Sequence, residues 1–188
     1  MMDAYSLPTS IDVGGREYAI RTDYRAILDI LAAENDPDLT AAEKAEVLLE
    51  ILYEDRDSIP MSSEKEALEK GVRFIDYSIN PEQTAKPQPR VMDWEQDAPL
   101  IIPAINKVAG KEIRSESYIH WWTFLGWYME IGDGSFSQVL AIRQKKARGK
   151  KLEKYEQEFA RMHPELVNLK KRISEEQQEE LDNLEKWL

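Results

Sequence analysis

The chain contains no cysteine at all. That removes disulfide staples, thiolate nucleophiles and thiolate-ligated zinc in one stroke. Histidine is nearly as scarce, with only His120 and His163 present, and no calcium-type acidic loop with its glycine accompanies them. No stretch approaches the roughly 20 apolar residues that a bilayer-spanning helix needs. The opening Met1-Met2-Asp3-Ala4-Tyr5 has neither the basic start nor the apolar run of a signal peptide. A phosphate-cradling P-loop, a GxSxG elbow and a dinucleotide fingerprint are all missing. These absences predict a cytosolic protein that is not an enzyme and uses no cofactor or metal.

What is present is enough for a folded core. Of 188 residues, 42% are apolar and 32% charged, the balance of a globular chain of one domain, or two at most. The net charge of −11 is unevenly spread. Residues 1–142 hold 13 basic and 26 acidic side chains, residues 143–172 hold 11 and 4, and residues 173–188 hold 1 and 6. A mostly acidic surface repels phosphate, so nucleic acid is a poor general partner. The basic segment suits an acidic protein, or the acidic body of a second copy.

Periodicity predicts a mainly α fold of the α+β kind, with an N-terminal β-hairpin, a helical bundle and a heptad-like C-terminal helix. Ile11 and Val13 alternate with polar residues, Gly14-Gly15 supplies a tight turn, and Tyr18 and Ile20 resume the alternation. Asp23 is placed to cap a helix whose stripe is Tyr24, Ile27, Leu28 and Leu31. Thr40 with Glu43 is a capping box before Ala45, Leu48, Leu49 and Leu52. Ser63 with Glu66 repeats the signal before Leu68, Val72, Ile75 and Ile79. Residues 80–92, with Pro81, Pro87 and Pro89, read as an exposed linker. Asp93 is expected to cap a helix running to about Val108, kinked or broken by Pro99 and Pro103. Tyr118 to Met129 is apolar nearly all round, the pattern of a central core helix. Ser135 then caps a helix burying Phe136, Val139 and Leu140. The expected organisation is therefore 1–79 (hairpin plus helices), 80–92 (linker), 93–149 (core with the tryptophan helix) and 150–188 (charged helices). Whether these are separate or a single domain is left open.

Three groups of residues are candidates for function. Leu152, Tyr155, Phe159, Met162, Leu166, Leu169 and Ile173 are spaced alternately by three and four, an a/d seam over three heptads. Pro164 interrupts it and reads as the first residue of a fresh helix capped near His163. The seam fits either its own domain, a second copy, or another protein's helix. Arg143, Lys145, Lys146, Arg148, Lys150 and Lys151 form the basic patch, which suits a solvated helix end, an acidic protein or nucleic acid. His120, beside Trp121 and Trp122, has Glu116 four residues back as its nearby acid, yet fits a buried structural group better than a catalytic base. The aromatics of 118–131 lack the interleaved basic residues of a base-stacking surface.

Several strings taken together resemble the phage gene-product-fifteen family of siphophages and prophages of Gram-positive bacteria. They are Leu7-Pro8, Ile11 through Ile20, Thr22-Asp23-Tyr24-Arg25, Asp93-Trp94-Glu95-Gln96-Asp97-Ala98, His120-Trp121-Trp122-Thr123-Phe124, and Phe136 through Arg143. Members of that family often carry a Tyr-Gly-Ile-Asp-like string where this chain has Ala109-Gly110-Lys111-Glu112-Ile113, so a different loop is expected there. The resemblance implies a gene between those of the major tail protein and the tape-measure protein, where tail assembly chaperones are encoded. It implies the tape-measure protein, and other tail proteins, as partners, and a place in the host bacterial cytoplasm; self-association is expected from the 152–173 seam, and no membrane from the lack of a long apolar run. A structural tail or connector component retained in the virion is the alternative, and a nucleic-acid regulator comes third.

Overall fold

A computed structural model describes residues 5–77, 89–170, 172–174 and 176–177. It has one two-stranded antiparallel sheet and eight α-helices among those residues. The chain divides into two compact units, Met1–Ile79 with Lys171–Leu188, and Asn80–Lys170.

The first unit begins with β1 (Ser10–Val13) and β2 (Arg16–Ala19), paired in the register Ile11 to Tyr18 and Val13 to Arg16. Gly14 and Gly15 have φ of 62° and 83°, and two consecutive positive values are what a two-residue hairpin turn requires. Alternation puts Ile11, Val13 and Tyr18 inward. Asp23 accepts the Arg25 N–H at 3.0 Å and starts α1 (Tyr24–Glu34), on which Ile30 joins Tyr24 and Ile27 in the core. Thr40 and Glu43 form the expected capping box at α2 (Ala41–Leu52). At the other end of α2 the Arg21 guanidinium donates to the carbonyls of Glu50, Ile51 and Tyr53 at 2.8–2.9 Å. Those are the orphan acceptors of a helix C-terminus, and a cation there also suits the dipole.

In α3 (Glu64–Ile75) two expectations are corrected. A short 3-10 turn, Met61–Ser63, leaves Ser63 with no capping hydrogen bond. Glu66 instead pairs with Lys70 at 2.6 Å and accepts from the Gly14 amide, and Lys70 reaches the Asp12 carbonyl at 2.7 Å. The helix is thus rotated so that Ala67, Gly71, Phe74 and Ile75 face inward while Val72 is exposed. Gly71 lets α2 come close, because a Cβ there would lie 2.8 Å from Leu52 Cδ2 and 3.0 Å from Leu48 Cδ2. Gly71→Val is therefore expected to lose about 1–3 kcal/mol through overpacking, read as a lower urea midpoint. An unchanged midpoint would mean that the two leucines yield freely.

The second unit carries α4 (Ala98–Ala109), α5 (Trp121–Met129), α6 (Ser135–Ala147), α7 (Lys154–Met162) and α8 (Pro164–Val167). Its core is Ile101, Ile105, Ile113, Ile119, Trp121, Phe124, Phe136, Val139, Ile142 and Val167. Here α4 starts at Ala98 rather than at Asp93, and it runs unbroken past Pro103. Pro99 lies in its first turn, where no N–H is needed, and Pro103 is on the exposed face. Helix α5 is not buried all round as its composition suggested. Only Trp121 and Phe124 are fully buried on it, Trp122, Leu125 and Trp127 are half-buried, and Met129 is exposed. A nine-residue helix packed mainly on α4 has one covered face, whatever its composition. Gly134, one residue before the expected Ser135, is the cap of α6, through Ser137.

The heptad seam does not form one helix. Leu152 precedes α7, and Tyr155, Phe159 and Met162 lie on it. His163 has φ −130° and ψ 57°, Pro164 opens α8 as its spacing suggested, and Leu166 falls on this four-residue helix. The residue before a proline is held out of the helical region. Leu169 and Ile173 lie beyond α8, in non-helical chain. The expected linker core at 80–88, Ile79, and the stripe Leu181, Leu184 and Leu188 lie outside the described residues.

Candidate functional site

The strings Asp93–Ala98, His120–Phe124 and Phe136–Arg143 converge in the second unit. Asp93 ties a turn by accepting the amides of Glu95 and Gln96 through Oδ1, at 2.9 and 2.8 Å, while its other oxygen pairs with Arg90. The turn delivers the Asp97 carboxylate into the interior, where it takes the Asp93 amide at 2.9 Å. Arg143 meets it from α6 in a two-pronged ion pair of 2.7 and 2.8 Å. Both side chains are almost sealed, 3% and 2% exposed. Such a pair is tolerated in low dielectric only when its remaining polar atoms are also satisfied. They are: the same guanidinium donates to the Leu166 carbonyl through Nε (3.0 Å) and Nη2, and to the Val91 carbonyl at 3.1 Å.

Gln96 completes this clasp on the chain after α7. Its amide donates to the carbonyls of Glu165 and Asn168 at 3.0 and 2.9 Å and accepts the Lys170 amide at 2.9 Å. Lys146 adds a 2.6 Å bond to Asn168 Oδ1. Above the clasp Trp94 packs on Trp121, Phe124 and Tyr128, with ring centroids 6.2, 6.1 and 4.9 Å away. His120 caps α5, its Nδ1 accepting the Trp122 amide at 3.0 Å. That role needs an unprotonated Nδ1, so the ring serves the helix terminus. Near the end of α4, Asn106 accepts the Ile113 amide at 2.9 Å and donates to Glu112 at 2.8 Å. The Arg114 guanidinium and amide hold the Glu112 carboxyl down at about 2.

The arrangement is a scaffold of satisfied groups. Among the described residues no three His, Asp or Glu side chains cluster so as to hold a metal ion, and no helix is long and apolar enough to cross a membrane. Of the basic patch, Arg143 must be withdrawn, because it is buried against Asp97. Lys145 is bound to Glu156 at 2.6 and 2.8 Å, which leaves Arg148, Lys150 and Lys151 as exposed cations with no ion pair to another described residue, beside Lys146. Of the seam, Tyr155 and Met162 are 62% and 63% exposed, whereas Leu152, Phe159, Leu166, Leu169 and Ile173 are half-buried. Helical spacing alone could not foresee that Glu156 and Val167 would be the buried positions of this stretch. The Asp97–Arg143 pair and the Gln96 clasp also escaped the sequence reading, although all three residues stand in the strings that carried the resemblance.

Glu156 predicts an acid response. Its carboxyl is held below the usual range, first by the hydrogen bond from Lys145 and then by the Glu153 amide. A carboxyl whose folded value is depressed contributes stability above its unfolded value, and that contribution is lost as pH falls through the folded one. Between about pH 4.5 and lower values the parent should therefore lose stability that Glu156→Gln never had. Urea midpoints measured against pH check this, and parallel curves for both proteins would contradict it.

Two open grooves mark the surface of this unit. One, of about 610 Å³, runs between α4 and the turn before α6, with Pro99, Pro103, Val108, Ile131 and Phe136 in its walls. The second, of about 570 Å³, lies between α6 and α7 beside Tyr155.

Comparison with known proteins points to a phage family. The family described as Bacteriophage Gp15 protein matches residues 4–169, the span that holds the hairpin, the clasp and the tryptophan helix. No curated protein and no solved structure matches the chain.

Proposed function

The chain belongs to the Bacteriophage Gp15 protein family, and from that premise we propose that it is a non-enzymatic tail assembly chaperone. It binds the tape-measure protein in the host cytoplasm and keeps that long, aggregation-prone helix soluble while tail subunits polymerise. The observation that carries the reading is the family match, joined to the tail-gene setting that the resemblance implies. The apolar groove between α4 and the α5–α6 turn supports it physically. An amphipathic helix laid into such a groove is a recurrent mode of recognition and needs no cofactor. Pro103 strengthens the case for a receptive rim: it has no N–H to donate to the Pro99 carbonyl, and both prolines stand exposed at the groove.

Co-expression with fragments of the tape-measure protein tests the proposal. The fragments should become soluble and co-purify in moderate salt, because apolar contact is not screened as surface charge is. Val108→Asp with Ile131→Asp should abolish both effects while leaving the thermal melt close to that of the parent. Fragments that stay insoluble with the parent protein count against the chaperone. Rescue that persists in the double variant places the contact elsewhere.

A further inference from the structure

Arg148, Lys150, Lys151 and Lys154 are exposed at the junction of α6 and α7, and none forms an ion pair with another described residue. Glu153 is the single acid among them, since Glu156 is committed to Lys145. Directly after these cations comes Tyr155, and seven residues on, along the same face of α7, comes Met162; both are more than 60% exposed. A soluble surface that combines bare cations with uncovered large apolar side chains calls for a partner that is both acidic and apolar.

The sequence holds such a segment. Residues 175–188 carry Glu175, Glu176, Glu179, Glu180, Asp182 and Glu185 against one Lys186. Within it Leu181, Leu184 and Leu188 recur in the sequence at intervals of three and four, next to Trp187. We propose that the acidic segment 175–188 of one copy docks on the 148–162 surface of a second copy. Cations 148–154 take its carboxylates, and Tyr155 and Met162 take its leucines. The two surfaces are different, so the contact is heterologous and repeats from copy to copy, closing into a ring or continuing as a filament. This surface is distinct from the groove assigned to the tape-measure helix, so the two readings stand or fall separately.

Light scattering on the full chain tests it. Average mass should rise with concentration at about 0.1 M salt and fall back toward the monomer near 1 M, where charges are screened beyond about 3 Å. A triple variant, Arg148→Glu with Lys150→Glu and Lys151→Glu, should be monomeric, as should Glu179→Lys with Glu180→Lys and Asp182→Lys. Mixed one to one, the two variants should associate again, since each restores the charge that the other lost. That recovery also shows that both are folded. A parent that is monomeric at every concentration overturns the proposal, as it would if the tail bound its own chain. So does a mixture that stays monomeric, or association that either triple variant retains. If the parent gains mass only with an added RNA oligonucleotide, and the glutamate variant does not, the cations serve nucleic acid and the proposal fails.

Discussion

Asp97→Ala is expected to cost the second unit about 3–5 kcal/mol, because it strands a charged guanidinium in the interior. Arg143 would keep its bonds to Leu166 and Val91 but lose both prongs to the carboxylate. The Asp93 amide would lose its acceptor in the same step. Removing both charges together, as Asp97→Leu with Arg143→Met, should recover a large part of that loss, since the desolvation cost of the pair disappears with it. Urea unfolding followed by tryptophan fluorescence reads mainly this unit, which holds four of the chain's five tryptophans. A single variant that unfolds with the parent would mean that water reaches Arg143 and that the clasp carries little.

Trp121→Ala is expected to cost about 3–5 kcal/mol, as large-to-small changes of buried aromatics do. The ring is 2% exposed and lies 5.7 Å from Phe124 in a near-parallel stack. Its neighbour Trp122 is only half-buried, so Trp122→Ala should cost less, about 1–2 kcal/mol for the area it loses. Thermal melts of the two variants side by side decide the matter. Equal losses, or a larger loss at Trp122, would mean that α5 is rotated from the orientation described.

The contrast between these two tryptophans shows where sequence reading succeeds and where it stops. Three local signals in the first unit were reliable. Gly14-Gly15 between alternating apolar residues, Asp23 before Tyr24, and Thr40 with Glu43 each gave the observed element, because each acts through bonds to its own neighbours. The Ser63–Glu66 box looked equivalent, yet Glu66 was taken by Lys70 and the Gly14 amide. A lysine one helical turn on, helped by an amide 52 residues back in the sequence, outcompeted the capping serine. Composition also misled in α5: an all-apolar string does not say which side a nine-residue helix turns inward. In the seam, the three-four spacing was real, but Pro164 ended the helix that would have made it continuous. The clasp was the least legible feature. Asp97 and Arg143 are 46 residues apart, and nothing local marks one as the other's partner. The basic run even drew Arg143 outward into a surface patch, when a guanidinium with five donors was there to be buried among acceptors.

The family fixes the protein as phage-related, while the chaperone reading rests on one distinction, whether the protein leaves the tail or stays in it. Quantitative mass spectrometry of infected lysate beside purified virions measures that directly. The account predicts the protein in lysate, recovered together with the tape-measure protein, and its absence from finished particles. A fixed number of copies per purified virion would contradict it and make the protein a structural component of the tail or connector.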